Sequence, residues 1–372
     1  MQNLVLYRKY RPKTFGEVVG QEHVVQTLTN AISSGTISHA YLFAGQRGSG
    51  KTTIARLLAK AINCENRKPA SPQGGNGFEP CNECSSCLEI TKGQSLDLVE
   101  IDAASHTGVD EIRELTEGIK FVPVKSKYKV FILDEAHQLS KGATSALLKT
   151  LEEPPSHAVF ILATTELHKI LPTIISRCQR FDFRKLKLEE IIGRLETLVK
   201  KEQCSVDGAA LELIALNSGG SIRDAEALLD QVLAFGGKNI EDIKDLLGMV
   251  DIKLVSQFID LLLQKKASPV IEFLNKIIEK GGDPQEFAKS LINYLRYGLI
   301  LKIGPELSNP IIIGLTKEEK EKLQAQIVSV SEADISRTLK LFMDAENKMK
   351  YSPIPQLPLE LAIIESLQKE EK

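Results

Sequence analysis

Short, almost unbroken apolar runs alternate with segments of helical period through the first half of the chain. The runs are AYLFAG (40–45), LDLVEID (96–102), KVFILDE (129–135) and AVFILATT (158–165), and a helix opens at Lys51 after the first of them. Runs of Val, Ile, Leu and Phe with little polar alternation predict parallel strands joined by crossover helices and covered on both faces. An α/β nucleotide-binding domain is therefore expected over 1–187, with functional loops following the strand C-termini.

From Leu188 the strand signal stops. LEEIIGRLETLVKKEQ (188–203), the segment 207–236 and EDIKDLLGMV (241–250) read as amphipathic helices punctuated by Gly, a small helical lid over 188–247. A third block, 248–372, runs from LVSQFIDLLLQ through ISRTLKLFMDAENKMK to LPLELAIIESLQKEEK with Pro and Gly in its connections, and is predicted all-helical. The fold class is thus α/β plus all-α. The terminal KEEK reads as a frayed helix end.

Composition narrows the function classes. Hydrophobic residues are 42% and charged residues 26% of 372, and no apolar run reaches the length of a membrane span. The N-terminus carries its basic residues after its apolar patch, the reverse of a secretory signal, so a cytoplasmic protein with free thiols is expected. The 47 basic and 49 acidic residues give a net charge of −2, which leaves no globally basic nucleic-acid footprint, and the absence of Trp with only 5% aromatic residues argues against a base-stacking platform for single strands. Contact with DNA would have to be local and through the backbone.

Gly45-Gln46-Arg47-Gly48-Ser49-Gly50-Lys51-Thr52 fits the phosphate-binding pattern GxxxxGKT and sits between a strand and a helix, as that loop requires, with Thr53 continuing the helix. Its glycines turn backbone N–H groups onto phosphate oxygens, Lys51 reaches the β- and γ-phosphates of ATP, and Thr52 ligates Mg²⁺. KVFILDEAH ends a buried strand in two carboxylates: Asp134 suits the Mg²⁺ shell and Glu135 the attacking water. Thr164 and Thr165 at the next strand tip could meet the γ-phosphate or that water, or simply be β-branched strand ends. Arg177, in ISRCQRF, could reach a neighbouring subunit's phosphates in trans, or lie on the surface. Arg223, in GGSIRDAEALL, could sense the γ-phosphate, or pair with Asp224 or Glu226 at a helix start.

Cys64, Cys81, Cys84 and Cys87 form C-x16-C-x2-C-x2-C across a Pro/Gly-rich loop. Four thiolates suit a closed, structural Zn²⁺ site; disulfides and iron–sulfur ligation are the alternatives. Cys178 and Cys204 are left over.

Assembled, these pieces resemble the γ/τ family of bacterial DNA polymerase III clamp-loader motor subunits over essentially the whole chain. YRKYRPKTFGEVVGQEHV, HAYLFAGQRGSGKTTIARLLAKAINC, the cysteine group, VFILDEAHQLSKGATSALLKTLEEPP, ILATTELHKILPTIISRC and SGGSIRDAEALLDQ carry the resemblance. It implies an AAA+ ATPase domain with an inserted zinc module (64–87), a lid, and a C-terminal collar joining a pentameric ring with other clamp-loader subunits. It also implies the sliding clamp and primer-template DNA as partners and no membrane. By the same resemblance Arg177 is the trans-acting arginine finger, Arg223 the lid sensor and Thr165 the γ-phosphate sensor, and Arg11, Pro12, Val19 and Gly20 are adenine or ribose contacts. DNA phosphates are expected near Ser140 and Lys141, which open the helix after the KVFILDE strand. The implied activity is ATP hydrolysis within a polymerase holoenzyme, not polymerisation. The loop between Cys64 and Cys81 is longer than the family pattern, and the sequence shows no τ-type extension after the collar, whether by nature or by truncation.

Alternatives from other classes are another AAA+ DNA-remodelling motor such as a branch-migration helicase, a P-loop phosphotransferase, and a non-hydrolysing scaffold. A helicase of that kind would normally end in a winged helix, a phosphotransferase would need an acceptor pocket, and the intact Lys51-Thr52 and Asp134-Glu135 pairs speak against a scaffold.

Overall fold

The computed structural model describes residues 4–67, 77–105, 118–119, 121–237, 242–243, 251–304 and 317–368. Most of the loop between Cys64 and Cys81, most of the predicted segment 241–250 and the terminal KEEK lie outside the described residues. The chain divides into two compact units, residues 1–205 with 214–233, and 206–213 with 234–372.

The first unit is built on five parallel strands: β1 (Ala40–Gly45), β2 (Leu98–Asp102), β3 (Lys129–Asp134), β4 (Ala158–Thr164) and β5 (Gln179–Phe183). Their order across the sheet is β2-β3-β4-β1-β5. The four expected apolar runs are the first four strands. β1 and β4 bury nearly every residue because alternate side chains enter two different cores. After the short helical turn α1 (Leu6–Lys9) come α2 (Glu22–Ser34) and α3 (Lys51–Asn63), and beneath these two Tyr41 and Phe43 pack with Ile132, Ile161 and Phe181. Leu42 packs on the opposite face with Phe131, Leu133 and Phe160. The Phe131 and Phe160 rings stack at 5.4 Å there. Each such buried aromatic contributes about 1.5–3 kcal/mol by leaving water.

The remaining described α-helices of this unit are α4 (Ser85–Lys92), α5 (Lys141–Glu152), α6 (Pro172–Ile175), α7 (Leu188–Lys201) and, but for its last two residues, α9 (Ile222–Phe235), while α8 (Gly208–Asn217) falls across the division. Ser140 caps α5, its Oγ accepting from the Ala143 N–H at 3.3 Å. Gly48 is required by proximity: a Cβ there would stand 1.9 Å from Ser221 Oγ, at the start of α9, and its φ of +74° is left-handed.

The second unit contributes α10 (Ile252–Leu263), α11 (Ala267–Glu279), α12 (Pro284–Ile303), α13 (Lys317–Val328), α14 (Glu332–Met349) and α15 (Leu357–Leu367), with no strand among its described residues. Phe258, Phe287 and Phe342 form its centre, Phe258 meeting the other two edge-on at 5.1 and 6.2 Å. Asp283 caps α12 by accepting from the Gln285 N–H at 2.7 Å. A buried polar link crosses this core: Tyr294 donates to Gln326 Oε1 at 2.7 Å, and Gln326 Nε2 donates to the Ser256 carbonyl at 2.9 Å. No helix among the described residues is long and apolar enough to cross a membrane.

Candidate functional site

The strand order places β4 between β1 and β3, so the loops after these three strands stand side by side at their C-terminal ends. Each delivers part of the site. After β1, Gly50 takes a φ of +100° and α3 begins at Lys51, which leaves the first-turn N–H groups without helical acceptors, ready for an anion. Lys51 is 5% exposed and its Nζ donates to the Gly45 and Gln46 carbonyls at 2.8 and 3.0 Å. Burial pushes its ammonium down from the ordinary lysine range, against the pull of Glu135 and Asp134.

After β3, Asp134 Oδ2 accepts from Thr52 Oγ1 at 2.8 Å. Cis ligands of an octahedral Mg²⁺ lie about 2.9 Å apart, so this hydroxyl–carboxylate pair of hard oxygens fits that ion. Glu135 has a φ of +49°, a left-handed conformation for a residue with a Cβ. The turn aims its carboxylate at β4, where Thr165 Oγ1 donates to Glu135 Oε2 at 2.9 Å.

His137, which no motif in the sequence singles out, completes this corner. Its side chain is 5% exposed, Nδ1 lies 3.0 Å from Thr164 Oγ1 and 3.4 Å from Glu135 Oε2, and Nε2 lies 3.0 Å from Glu166 Oε2. Glu166 is in turn held by Lys169 at 2.8 Å, whose hydrogen bond keeps its carboxyl below the usual range. Thr164 is therefore occupied within the fold, whereas Thr165 touches the catalytic-type carboxylate directly.

A cavity opens on this loop. Gly48, Ser49, Gly50, Lys51, Thr52 and Thr53 form one wall. Arg11, Pro12 and Val19 form another, and Ile222 and Arg223 of α9 a third. Gly20 and Gly45 are not lining residues; a Cβ on Gly20, whose φ is +76°, would meet Glu190 Oε2 at 2.8 Å. Tyr7, which opens YRKYRPKTFGEVVGQEHV but has no role assigned by it, shares the cavity, with the Arg223 guanidinium 5.0 Å from its ring centre. Asp224, one suggested partner of Arg223, has its N–H bound to Ser221 Oγ at 3.3 Å, and Glu226 pairs instead with Arg194 at 2.8 Å.

Arg177 is not a lining residue of this cavity. It follows α6, and its guanidinium holds the Glu152 carboxylate and the Thr173 carbonyl, both at 2.8 Å.

Cys64, Cys81, Cys84 and Cys87 converge with all four Sγ atoms within 4.8 Å of one another, and all six cysteines are free of disulfides. Sulfurs around a tetrahedral Zn²⁺ lie about 3.8 Å apart, so the donor set and its spacing fit that ion. Against burial, which raises it, N–H donation from Glu83 and Cys84 and the neighbouring thiols bring the Cys81 thiol to about 6; burial pushes Cys64 and Cys87 up. Cys178 stays apart, its thiol raised to about 11 by burial, and Cys204 is exposed.

Three stretches match described families: residues 20–187 the DNA polymerase III delta subunit, 190–238 the DNA polymerase III clamp loader subunit ATPase lid domain, and 239–370 domain III of DNA polymerase III subunits gamma and tau. DNA polymerase III subunit gamma of Buchnera aphidicola subsp. Acyrthosiphon pisum is 38% identical over 98% of this chain and 98% of its own length. DNA polymerase III subunit tau of Bacillus subtilis is 43% identical over 99% of this chain, which spans 64% of that protein. The tau subunit of Escherichia coli is 36% identical, and the chain spans 56% of it.

Proposed function

The chain belongs to the DNA polymerase III gamma/tau family, and on that premise we propose that it is an ATP-hydrolysing motor of a replicative clamp loader, opening a sliding clamp and placing it on primed DNA. One observation carries this reading: Lys51 and Thr52, Asp134 and Glu135, and Thr165 come from three separate strands and meet at one edge of the sheet. A binding-only subunit has no need of Glu135 at that place.

In this reading Lys51 and the N–H groups opening α3 hold the β- and γ-phosphates, and Arg11, Pro12, Val19 and the neighbouring Gly20 receive adenine and ribose. Thr52 and Asp134 hold Mg²⁺, which neutralises phosphate charge when bound. Glu135 orients the attacking water and takes its proton as the water oxygen bonds to the γ-phosphorus and the bond to the β–γ bridging oxygen breaks, leaving ADP and phosphate. Thr165 fixes the carboxylate that does this and stands next to the γ-phosphate. Arg223 reports the same phosphate to the lid. Arg177 serves the site of the adjacent subunit, a role that fits its absence from its own cavity.

The same proposal divides the chain into an ATPase domain over 1–187, a lid over 188–247 and a collar over 248–372 that joins a pentameric ring; the separate family matches support three such parts, with the lid match ending at 238 and the third beginning at 239. The four cysteines hold a structural zinc, DNA phosphates meet Ser140 and Lys141 at the start of α5, and the assembly works in the cytoplasm. Clamp retained on primed circular DNA, in an assembly reconstituted with the partner subunits, tests the function. Retention should need ATP and vanish with Lys51→Ala; retention that is indifferent to ATP or to this chain would refute it.

A further inference from the structure

A second cavity, of 580 Å³, lies between the N-terminal segment, α3 and α4. Seven basic side chains line it: the four between Arg8 and Lys13, Arg56 and Lys60 of α3, and Lys92 at the end of α4. No carboxylate and no aromatic ring does. On α3 the lining residues are Thr53, Arg56, Leu57 and Lys60, spaced i, i+3, i+4 and i+7, so one face of the helix is given to it. The nucleotide cavity adjoins it at Arg11, Pro12 and Thr53, which face both.

These cations are under-compensated. Among the described residues Lys9 pairs with Glu202 at 2.6 Å and Arg56 with Glu100 at 2.5 Å, while Arg8, Arg11, Lys13 and Lys92 have no ion-pair partner. Arg56 Nε is buried with no hydrogen-bond acceptor. Burial, then the nearby Arg56, pushes the Arg11 guanidinium down despite Glu100. In a chain of net charge −2 this is a local excess of positive charge with no carboxylate in its lining, a potential that attracts an external anion.

We infer that this cavity binds a chain of phosphates, either the phosphodiester backbone of a nucleic acid or a free oligophosphate. Guanidinium forks match paired phosphate oxygens, and consecutive phosphates supply the charge density that suits the four cations left unpaired, which single carboxylates on a peptide do not. Without an aromatic lining the recognition is blind to base identity. The ligand lies outside the ATP cavity and its binding needs no hydrolysis.

The test uses the intact chain saturated with Mg·ADP, so that the nucleotide cavity is filled. Fluorescein-labelled oligo-dT, an abasic phosphodiester strand and tripolyphosphate are titrated across a salt series against the wild type and Arg8→Gln/Lys92→Gln, with ADP affinity as the measure of folding. The double variant should bind each anion that the wild type binds at least tenfold more weakly, and for a strand its salt slope should fall by about 1.4, some 0.7 for each phosphate that is no longer neutralised. Equal binding of oligo-dT and the abasic strand, with tripolyphosphate a weak competitor, identifies nucleic-acid backbone; tripolyphosphate displacing both at low concentration identifies free oligophosphate. Unchanged binding in the variant, no binding of any of the three, or better displacement by a poly-glutamate peptide overturns the inference. Should Arg8→Gln disturb ADP binding, Lys13→Gln/Lys92→Gln carries the same test.

Discussion

In the proposed function Glu135 concentrates the chemistry of the fold in one residue. Its left-handed backbone costs about 1–2 kcal/mol in a residue with a Cβ, and the carboxylate so placed is held by Thr165 at 2.9 Å and flanked by His137 at 3.4 Å. Strain kept by surrounding contacts is characteristic of catalytic positions. Glu135→Gln preserves the shape and the Thr165 contact but removes the proposed base. Single-turnover hydrolysis should fall at least about 100-fold while equilibrium ATP binding changes less than threefold; loss of binding would assign Glu135 to folding instead. Lys51, Thr52 and Asp134 were legible because each belongs to a local motif whose flanking strand and helix are also local. His137, Glu166 and Tyr7 were not, since the contacts that tie His137 to Thr164 and Glu166, and Tyr7 to Arg223, cross between loops and no spacing in the sequence announces them. Thr164 and Thr165 looked alike by residue type and only the resemblance chose between them; the structure binds the one to His137 and the other to Glu135.

At the scale of elements, the three inner strands and the edge strand β2 were readable and the opposite edge strand, β5, was not. β1 and β4 are apolar throughout because both their faces are covered. β5 buries only Phe181 and Phe183 of QRFDF, and a five-residue edge strand carrying Arg and Asp gives too weak a pattern to stand out. The lid helices α7 and α9 are joined by an ion pair that no periodicity reveals: Arg194 and Glu226 side chains are 9% and 6% exposed and meet at 2.8 Å, and Arg194 also donates to the Tyr10 carbonyl. Burial raises the Glu226 carboxyl, with Arg194 opposing it. Arg194→Met leaves a buried carboxylate alone and should cost about 3–5 kcal/mol, whereas Arg194→Met/Glu226→Leu should recover most of the loss. Chemical denaturation of both variants checks this; equal destabilisation of the two would mean that packing, not charge, joins these helices.

For the whole molecule, a near-neutral chain conceals a strongly basic cavity, so net charge alone understated its capacity for anions. The order of its parts was legible because the first half repeats strand and helix while the rest reads only as helix, a change of period that survives without any contact information. What a single chain cannot display is its neighbour. Arg177 rests on Glu152 of its own α5, and its proposed partner is a phosphate in another subunit. ATP turnover by the reconstituted assembly, with and without sliding clamp and primed DNA, beside Lys51→Ala and Arg177→Ala, tests this most directly. The account predicts strong stimulation by clamp and DNA together, abolished in both variants, with ATP binding abolished only in Lys51→Ala. Turnover indifferent to clamp and DNA, or full stimulation in Arg177→Ala, would contradict it.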